Sequence, residues 1–432
     1  MSVADPFSIA LRRFVFSQQA WAPDLGELRA KRVRALLRHA IELVPLYREL
    51  YRTHAISIET ISGPDDLWRL PAVSKLDYIR TGPKGYVDER QLPNLSDLYT
   101  QTTSGSLGTA LTMYAEPTES LFHLAGFWAG WIGAGVHVHD RLFMMGAPYL
   151  SKQIDPFHSV FIPVQMPMDE IVAQFRRFRP TVVIGLVESI ALLAVELRRQ
   201  NLPEREEVRL LFPFGQTYSA QLRGMVESGF KAETFVLYGS AEGGLLGHEC
   251  EQHNGLHVPM GRVVVQIAQT GRPNEPAPAR QSGEVILTAL MRGTTPFIRY
   301  RLHDAAALDP APCPCGRSAP RITNLEGRVQ DFLVATDGRW VGPSSVAIEM
   351  IVGQPNILDY RILQESPGRV HVSLVLASGF GDADRKRIEG ILQRRLGPVV
   401  TSFDSVSEIP RDPSGKRRRI FRAFDLPDGP SP

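Results

Sequence analysis

The chain has 432 residues, 43% of them hydrophobic, which exceeds the size at which single cores usually split and implies a large domain with at least one satellite. Its 48 Lys and Arg nearly cancel its 46 Asp and Glu, so no overall field steers it to nucleic acid or to an anionic membrane, and neither partner is expected. The opening MSVADPFSIALRRFVF interrupts its apolar residues with arginines and lacks a small-residue cleavage pattern, so the expectation is a cytoplasmic protein without a secretory signal. Three cysteines, an odd number, fit a reducing compartment rather than a disulfide framework.

In chain order, residues 24–55 repeat apolar positions at helical spacing, with Pro45 opening a new first turn before LYREL. The apolar stretch Leu121–Val138 carries His123, His137, glycines and tryptophans, a pattern for a buried helix followed by a turn rather than a bilayer span. From about 97 to 300, β-rich runs at Arg141–Met145, Thr181–Gly185, Val208–Phe212 and Thr234–Tyr238 alternate with helical stretches at Ser189–Arg199 and Ala220–Ser228, which predicts α/β with a parallel sheet. RVVVQIA, GEVILTAL and FIRYRL, joined by Gly- and Pro-rich turns in residues 257–303, predict an antiparallel or barrel-like piece. The large domain is therefore expected to be composite and to span 1–327. NLEGRVQDFLV (324–334) marks a change of character. The tail from 328 to 432 holds a strand pair around YRILQESPGRVHVSLVLA, a charged helix at Asp382–Leu396 and a further strand, the pattern of a small α+β domain.

Several fragments carry chemistry, each with a bland alternative. TTSGSLGTALTMY (102–114) crowds hydroxyl and backbone N–H donors beside glycines that let the main chain approach phosphate oxygens; most such runs are ordinary turns, and this one lacks a Walker ending. FGQTYSAQLR (214–223) and FVLYGSAEGG (235–244) set strand ends against glycine turns, where open α/β sheets bind ligands. Tyr238 suits stacking on a base and Glu242 suits magnesium, against a tight turn with a solvated Glu. Asp304, in RYRLHD, offers a carboxylate for two ribose hydroxyls or is a hairpin residue. Arg328, in EGRVQDF, reaches phosphate or ribose or forms an interdomain ion pair. Lys416, in PRDPSGKRRRI (410–420), is a flexible cation on a turn or part of a basic surface run.

The order of the fragments is more specific than any one of them. A Ser/Thr/Gly loop, then YGxxE, YRxxD, GRxxD and a C-terminal GK resembles the adenylate-forming ligases, in particular the phenylacetate–CoA ligase and capsule-biosynthesis branch, over nearly the whole chain. HAIELVPLYREL and LPAVSKLDYIR (70–80) carry the same resemblance. It implies a large N-terminal domain, a small mobile C-terminal domain and a two-step reaction through an acyl-adenylate. Carried over by position, Thr102, Thr103, Ser104, Gly105, Ser106 and Gly108 would hold the β- and γ-phosphates. Gly215 and Gln216 would edge the adenine beside Tyr238, Gly239 and Ser240. Glu242 would bind magnesium, Asp304 the ribose, Arg328 the ribose or phosphate, and Lys416 would bridge carboxylate and α-phosphate. Thr109 stands where relatives commonly have Lys, and Gln330 where they often have an acid.

The resemblance implies ATP-dependent activation of a small aromatic or otherwise apolar carboxylic acid, with coenzyme A as acceptor. The rivals are a carrier-protein thiol, an amine, a nitrite-type acid, or a silent nucleotide-binding scaffold; a homodimer is allowed. Phe212, Phe214 and the Tyr238–Gly244 turn are candidate walls for the acid. The cysteines, Cys250, Cys313 and Cys315, all lie in HECEQHNGLH (248–257) and CPCGR (313–317). With His257 they suit a closed Cys₃His structural zinc, against buried free thiols, with His253 or His248 as other imidazole choices. The resemblance favours zinc.

Overall fold

The computed structural model describes residues 25–424 apart from 103–110, 147–156, 164, 216–217, 219, 329–330, 344–345, 347–349, 351–355, 377 and 411–418. The lead-in forms helices Leu25–Leu43 and Pro45–Thr53, with proline in the first turn of the second, where its missing N–H costs nothing. Their apolar faces join Tyr78, Phe297 and Tyr300 in one core.

A five-stranded parallel sheet follows, in spatial order His158–Pro163, Arg141–Gly146, Val182–Leu186, Leu210–Phe214 and Glu233–Thr234. Every residue of its central strand Val182–Leu186 is buried, as a sheet covered on both faces requires. Helices Met168–Phe178, Val187–Arg199 and Ala220–Phe230 pack Ile171, Leu193 and Val226 with Phe143 and Leu211 on one side. Helix Pro117–Gly133 places Trp128 and Trp131 against Leu142, Ile184 and Phe212 on the other.

The strand-rich region forms an eight-stranded sheet ordered Arg272–Pro276, Val263–Gln269, Gly283–Ala289, Tyr300–Asp309, Arg321–Arg328, Leu256–His257, Gly244–His248, Leu237–Ser240, all neighbours antiparallel. One expectation is corrected here. Thr234–Tyr238 is not a single strand: Glu233–Thr234 edges the parallel sheet and Leu237–Ser240 edges the antiparallel one. The chain changes sheets at Phe235 and Val236, which delivers the YGSAEGG turn to the boundary between them.

In the tail, Val400–Ser405, Arg369–Leu376, Ile357–Ser366 and Ile420–Arg422 form a mixed four-stranded sheet covered by helix Asp382–Leu396, with its own core around Ile362, Val372, Ile391 and Leu392. The whole is mixed α/β with a parallel sheet, a strand-rich part and a small C-terminal α+β piece. Among the described residues, no helix is long and apolar enough to cross a membrane.

Candidate functional site

Asp304 and Arg328 sit opposite each other in the antiparallel register of Tyr300–Asp309 and Arg321–Arg328. The Tyr238 hydroxyl donates to Asp304 Oδ2 over 2.6 Å. Burial first, and then the Asp304 charge, push the Tyr238 phenol well above its ordinary range, so it remains a donor. Its ring lies in the core beside Leu246 and Leu302. The described contact of Tyr238 thus holds the Asp304 carboxylate in place.

Glu242 is buried in the turn after Leu237–Ser240, which the Gly243 N–H closes by donating to Ser240 Oγ over 3.0 Å. The glycines have physical work: a Cβ on Gly239 would lie 2.9 Å from the Phe127 ring, and Gly244 has φ 73°, a left-handed conformation. The Tyr300 phenol is pushed well above its ordinary range by burial and then by the nearby Glu242 carboxylate.

Sequence reading passed over Lys75 as a functional residue. Val73 lies beside Tyr300 as an isolated parallel bridge, its N–H donating to Arg299 O over 3.0 Å and its carbonyl accepting from Arg301 N over 2.9 Å. Ser74 and Asp77 then form a capping box that starts helix Lys75–Thr81. This geometry buries Lys75 within the fields of Glu242 and Arg328; its pKa is lowered by burial, against the raising effect of Glu242. The signals available were the Ser-x-x-Asp box and a lysine amid the apolar residues of LPAVSKLDYIR.

Thr102 ends the first strand of the hairpin Tyr99–Thr102/Thr112–Ala115, paired with Thr112. Thr103, Ser104, Gly105, Ser106, Gly108 and Thr109 lie outside the described residues, as do Gln216, Gln330 and Lys416. Gly215 follows strand Leu210–Phe214 with φ 82°. Arg419, just beyond Lys416, bonds Asp359 within the tail over 2.9 Å and pairs with Glu188 at the start of helix Val187–Arg199 over 3.3 Å. Arg419 thereby ties the tail to the helix that follows the central strand of the parallel sheet.

A second cluster lies behind the turn. Cys250 follows strand Gly244–His248, His257 ends strand Leu256–His257, and Cys313 and Cys315 occupy the connection between the strands carrying Asp304 and Arg328. One ligand atom from each of these four lies within 4.8 Å of the others. Cys250 Sγ and Cys313 Sγ are 3.8 Å apart, and Cys315 Sγ and His257 Nε2 3.4 Å. A tetrahedral zinc with ordinary bond lengths has edges of about 3.8 Å between sulfurs and about 3.5 Å between sulfur and nitrogen, so the donors fit. Sulfurs at 3.8 Å are too far apart for a disulfide, and all three cysteines are free. His253 is instead engaged by Glu233 and Glu249, and His248 lies outside the set, its ring centroid 6.0 Å from that of His257. Burial pushes Cys250 up to about 12, whereas Cys315, despite burial, is lowered by the Arg317 backbone N–H.

Residues 333–423 match the family model for the CapK C-terminal domain. A phenylacetate–coenzyme A ligase of Thermus thermophilus is 24% identical, the alignment covering 92% of this chain and 96% of that one. Protein CapK of Staphylococcus aureus is 22% identical over 91% of this chain and 88% of its own. Among solved structures, a 2-hydroxyisobutyryl-CoA ligase in the postadenylation state, in complex with 2-HIB-AMP, superposes with a TM-score of 0.77 at 18% identity, covering 94% of this chain and 91% of that one.

Proposed function

From the premise that the chain belongs to the phenylacetate–CoA ligase and CapK branch of the adenylate-forming ligases, we propose that it activates a small, largely apolar carboxylic acid with ATP and transfers the acyl group to coenzyme A. The observation carrying this reading is the convergence of Lys75, Glu242, Asp304 and Arg328 from separate segments around one pair of tyrosine hydroxyls. In the first step the acid's carboxylate oxygen attacks the α-phosphorus of ATP, and pyrophosphate leaves with the electrons of the broken P–O bond. In the second, a thiolate attacks the acyl carbon and AMP departs. Neither step requires a strong base from the protein, so positioning and charge dominate.

In this reading Asp304, steadied by Tyr238, binds the ribose hydroxyls, with Arg328 beside it on the ribose or phosphate. Tyr238, Gly239 and Ser240, with Gly215 and Gln216, border the adenine; Thr102, Thr103, Ser104, Gly105, Ser106 and Gly108 take the outer phosphates. Magnesium would screen the phosphate charge when bound, and the hard carboxylate oxygens of Glu242 suit it. Lys75 adds positive charge on the Glu242 side, and Lys416 bridges carboxylate and α-phosphate. The piece from 328 onward acts as the mobile carrier of Lys416. Cys250, His257, Cys313 and Cys315 hold a structural zinc that ties the Glu242 turn to the Asp304 strand. ATP, coenzyme A and unpaired thiols suit a cytoplasmic setting. The test is acid-dependent exchange of labelled pyrophosphate into ATP across an acid panel, followed by acceptor-dependent product analysis by mass spectrometry. Exchange without acyl-CoA formation would redirect the second step to another acceptor, and no exchange with any acid would overturn the proposal.

A further inference from the structure

His123 projects from helix Pro117–Gly133, one turn before Phe127, and its ring lies over the Glu242 turn: Nδ1, Cε1 and Cγ would be 3.1–3.4 Å from a Cβ on Gly244. The buried Arg292 donates through one nitrogen to His123 Nδ1 at 3.0 Å and to Ala241 O at 2.9 Å. A guanidinium has no acceptor, so Nδ1 must carry the lone pair and Nε2 must carry the hydrogen. Burial, then Arg292 and Arg262, hold the imidazole well below its ordinary range, which keeps this neutral tautomer at physiological pH. The ring is only part-buried, and among the described residues no hydrogen bond to Nε2 is present. Phe127 and Phe214, both part-buried, pack on one apolar cluster beside it. Apolar side chains and one fixed N–H donor thus meet beside the Glu242 turn, the combination by which a binding site reads one polar atom on an otherwise apolar ligand.

Resting on the acid-activation reading above, we infer that His123, locked by Arg292 as the Nε2–H tautomer, is the specificity donor of the acid cleft and selects an acid that carries an oxygen acceptor on its apolar body. A hydrocarbon acid that covers this N–H and leaves it unpaired costs free energy that an oxygen-bearing acid recovers, so discrimination exceeds what a methylene of extra contact gives.

The experiment measures kcat/KM in pyrophosphate exchange for matched aryl acids with and without a ring hydroxyl or methoxy group at each position, in the parent, His123→Phe and His123→Gln. The parent should favour at least one oxygen-bearing acid over its unsubstituted partner by about tenfold or more. His123→Phe should bring that ratio towards one, mainly through KM of the oxygen-bearing acid, and His123→Gln, which returns an N–H, should restore part of it. A parent that favours unsubstituted acids throughout, or the same ratio in parent and His123→Phe, would overturn the assignment of His123 alone. No exchange with any acid would instead remove the adenylation reading on which it rests.

Discussion

Replacing Asp304 tests the nucleotide site through a contact that two variants can separate. Asp304→Ala removes the carboxylate proposed to take the ribose hydroxyls and strands the buried Tyr238 hydroxyl that donates to it over 2.6 Å. A hydrogen bond to a charged group contributes about 1.5–3 kcal/mol, so the net loss of even one should raise KM for ATP roughly 10- to 100-fold or more. The stranded hydroxyl should also lower unfolding free energy by about 1–3 kcal/mol. Tyr238→Phe keeps the carboxylate and loses only its steadying donor. It should raise KM for ATP less than tenfold, and the double variant should show less than the sum of the single effects because both act through one carboxylate. The assay is ATP-dependent exchange at saturating acid, paired with urea unfolding of each variant. A KM for ATP unmoved by Asp304→Ala, with stability lowered as expected, would show that the pair is structural and would refute the ribose assignment.

Protein purified without an affinity tag should contain about one zinc per chain by metal analysis, and Cys250→Ser and Cys315→Ser should each lose both metal and thermal stability; a metal-free parent of full stability would eliminate the site. The fully buried Glu284 is opposed by burial but held by Arg301 and His303, which leave its pKa below the ordinary carboxylate value. A depressed folded pKa contributes stability above the unfolded value that is lost as pH falls through the folded one. Unfolding free energy should therefore drop below about pH 4.5, and Glu284→Gln should cost about 3–5 kcal/mol at neutral pH while flattening that acid slope; a parallel slope in the variant would contradict it. Lys416→Ala should slow acyl-adenylate formation at least a hundredfold, about 3 kcal/mol, while sparing thiol capture from a supplied adenylate; equal losses in both half-reactions would count against an alternating C-terminal piece.

The sheets were legible because their periodicities are strong. VVIGL has no polar residue to face water, and RVVVQIA and GEVILTAL are joined by a Gly- and Pro-rich connection with no helix pattern for a parallel crossover; the strand Arg272–Pro276 inside that connection was not legible, because its residues read as turn formers. The switch at Phe235–Val236 was not legible, because a change of sheet leaves the β-rich composition of residues 234–238 intact. Glu242, Asp304 and Arg328 could be picked out by the order of their fragments. Lys75, Arg292 and His123 could not: their significance lies in approaches across the fold, such as Arg292 to His123, that local spacing does not encode. The imidazole of the thiol cluster was open among three histidines for the same reason, since only strand pairing turns His257 towards Cys315.

The central claim is acid activation through an acyl-adenylate. It is tested most directly by incubating the full chain with ATP, magnesium and a panel of acids without any acceptor, then seeking the enzyme-bound product by mass spectrometry. An acyl-AMP for at least one acid, formed with stoichiometric pyrophosphate and consumed on adding coenzyme A, is the predicted result. ATP bound by the folded chain but never converted with any acid would contradict the account.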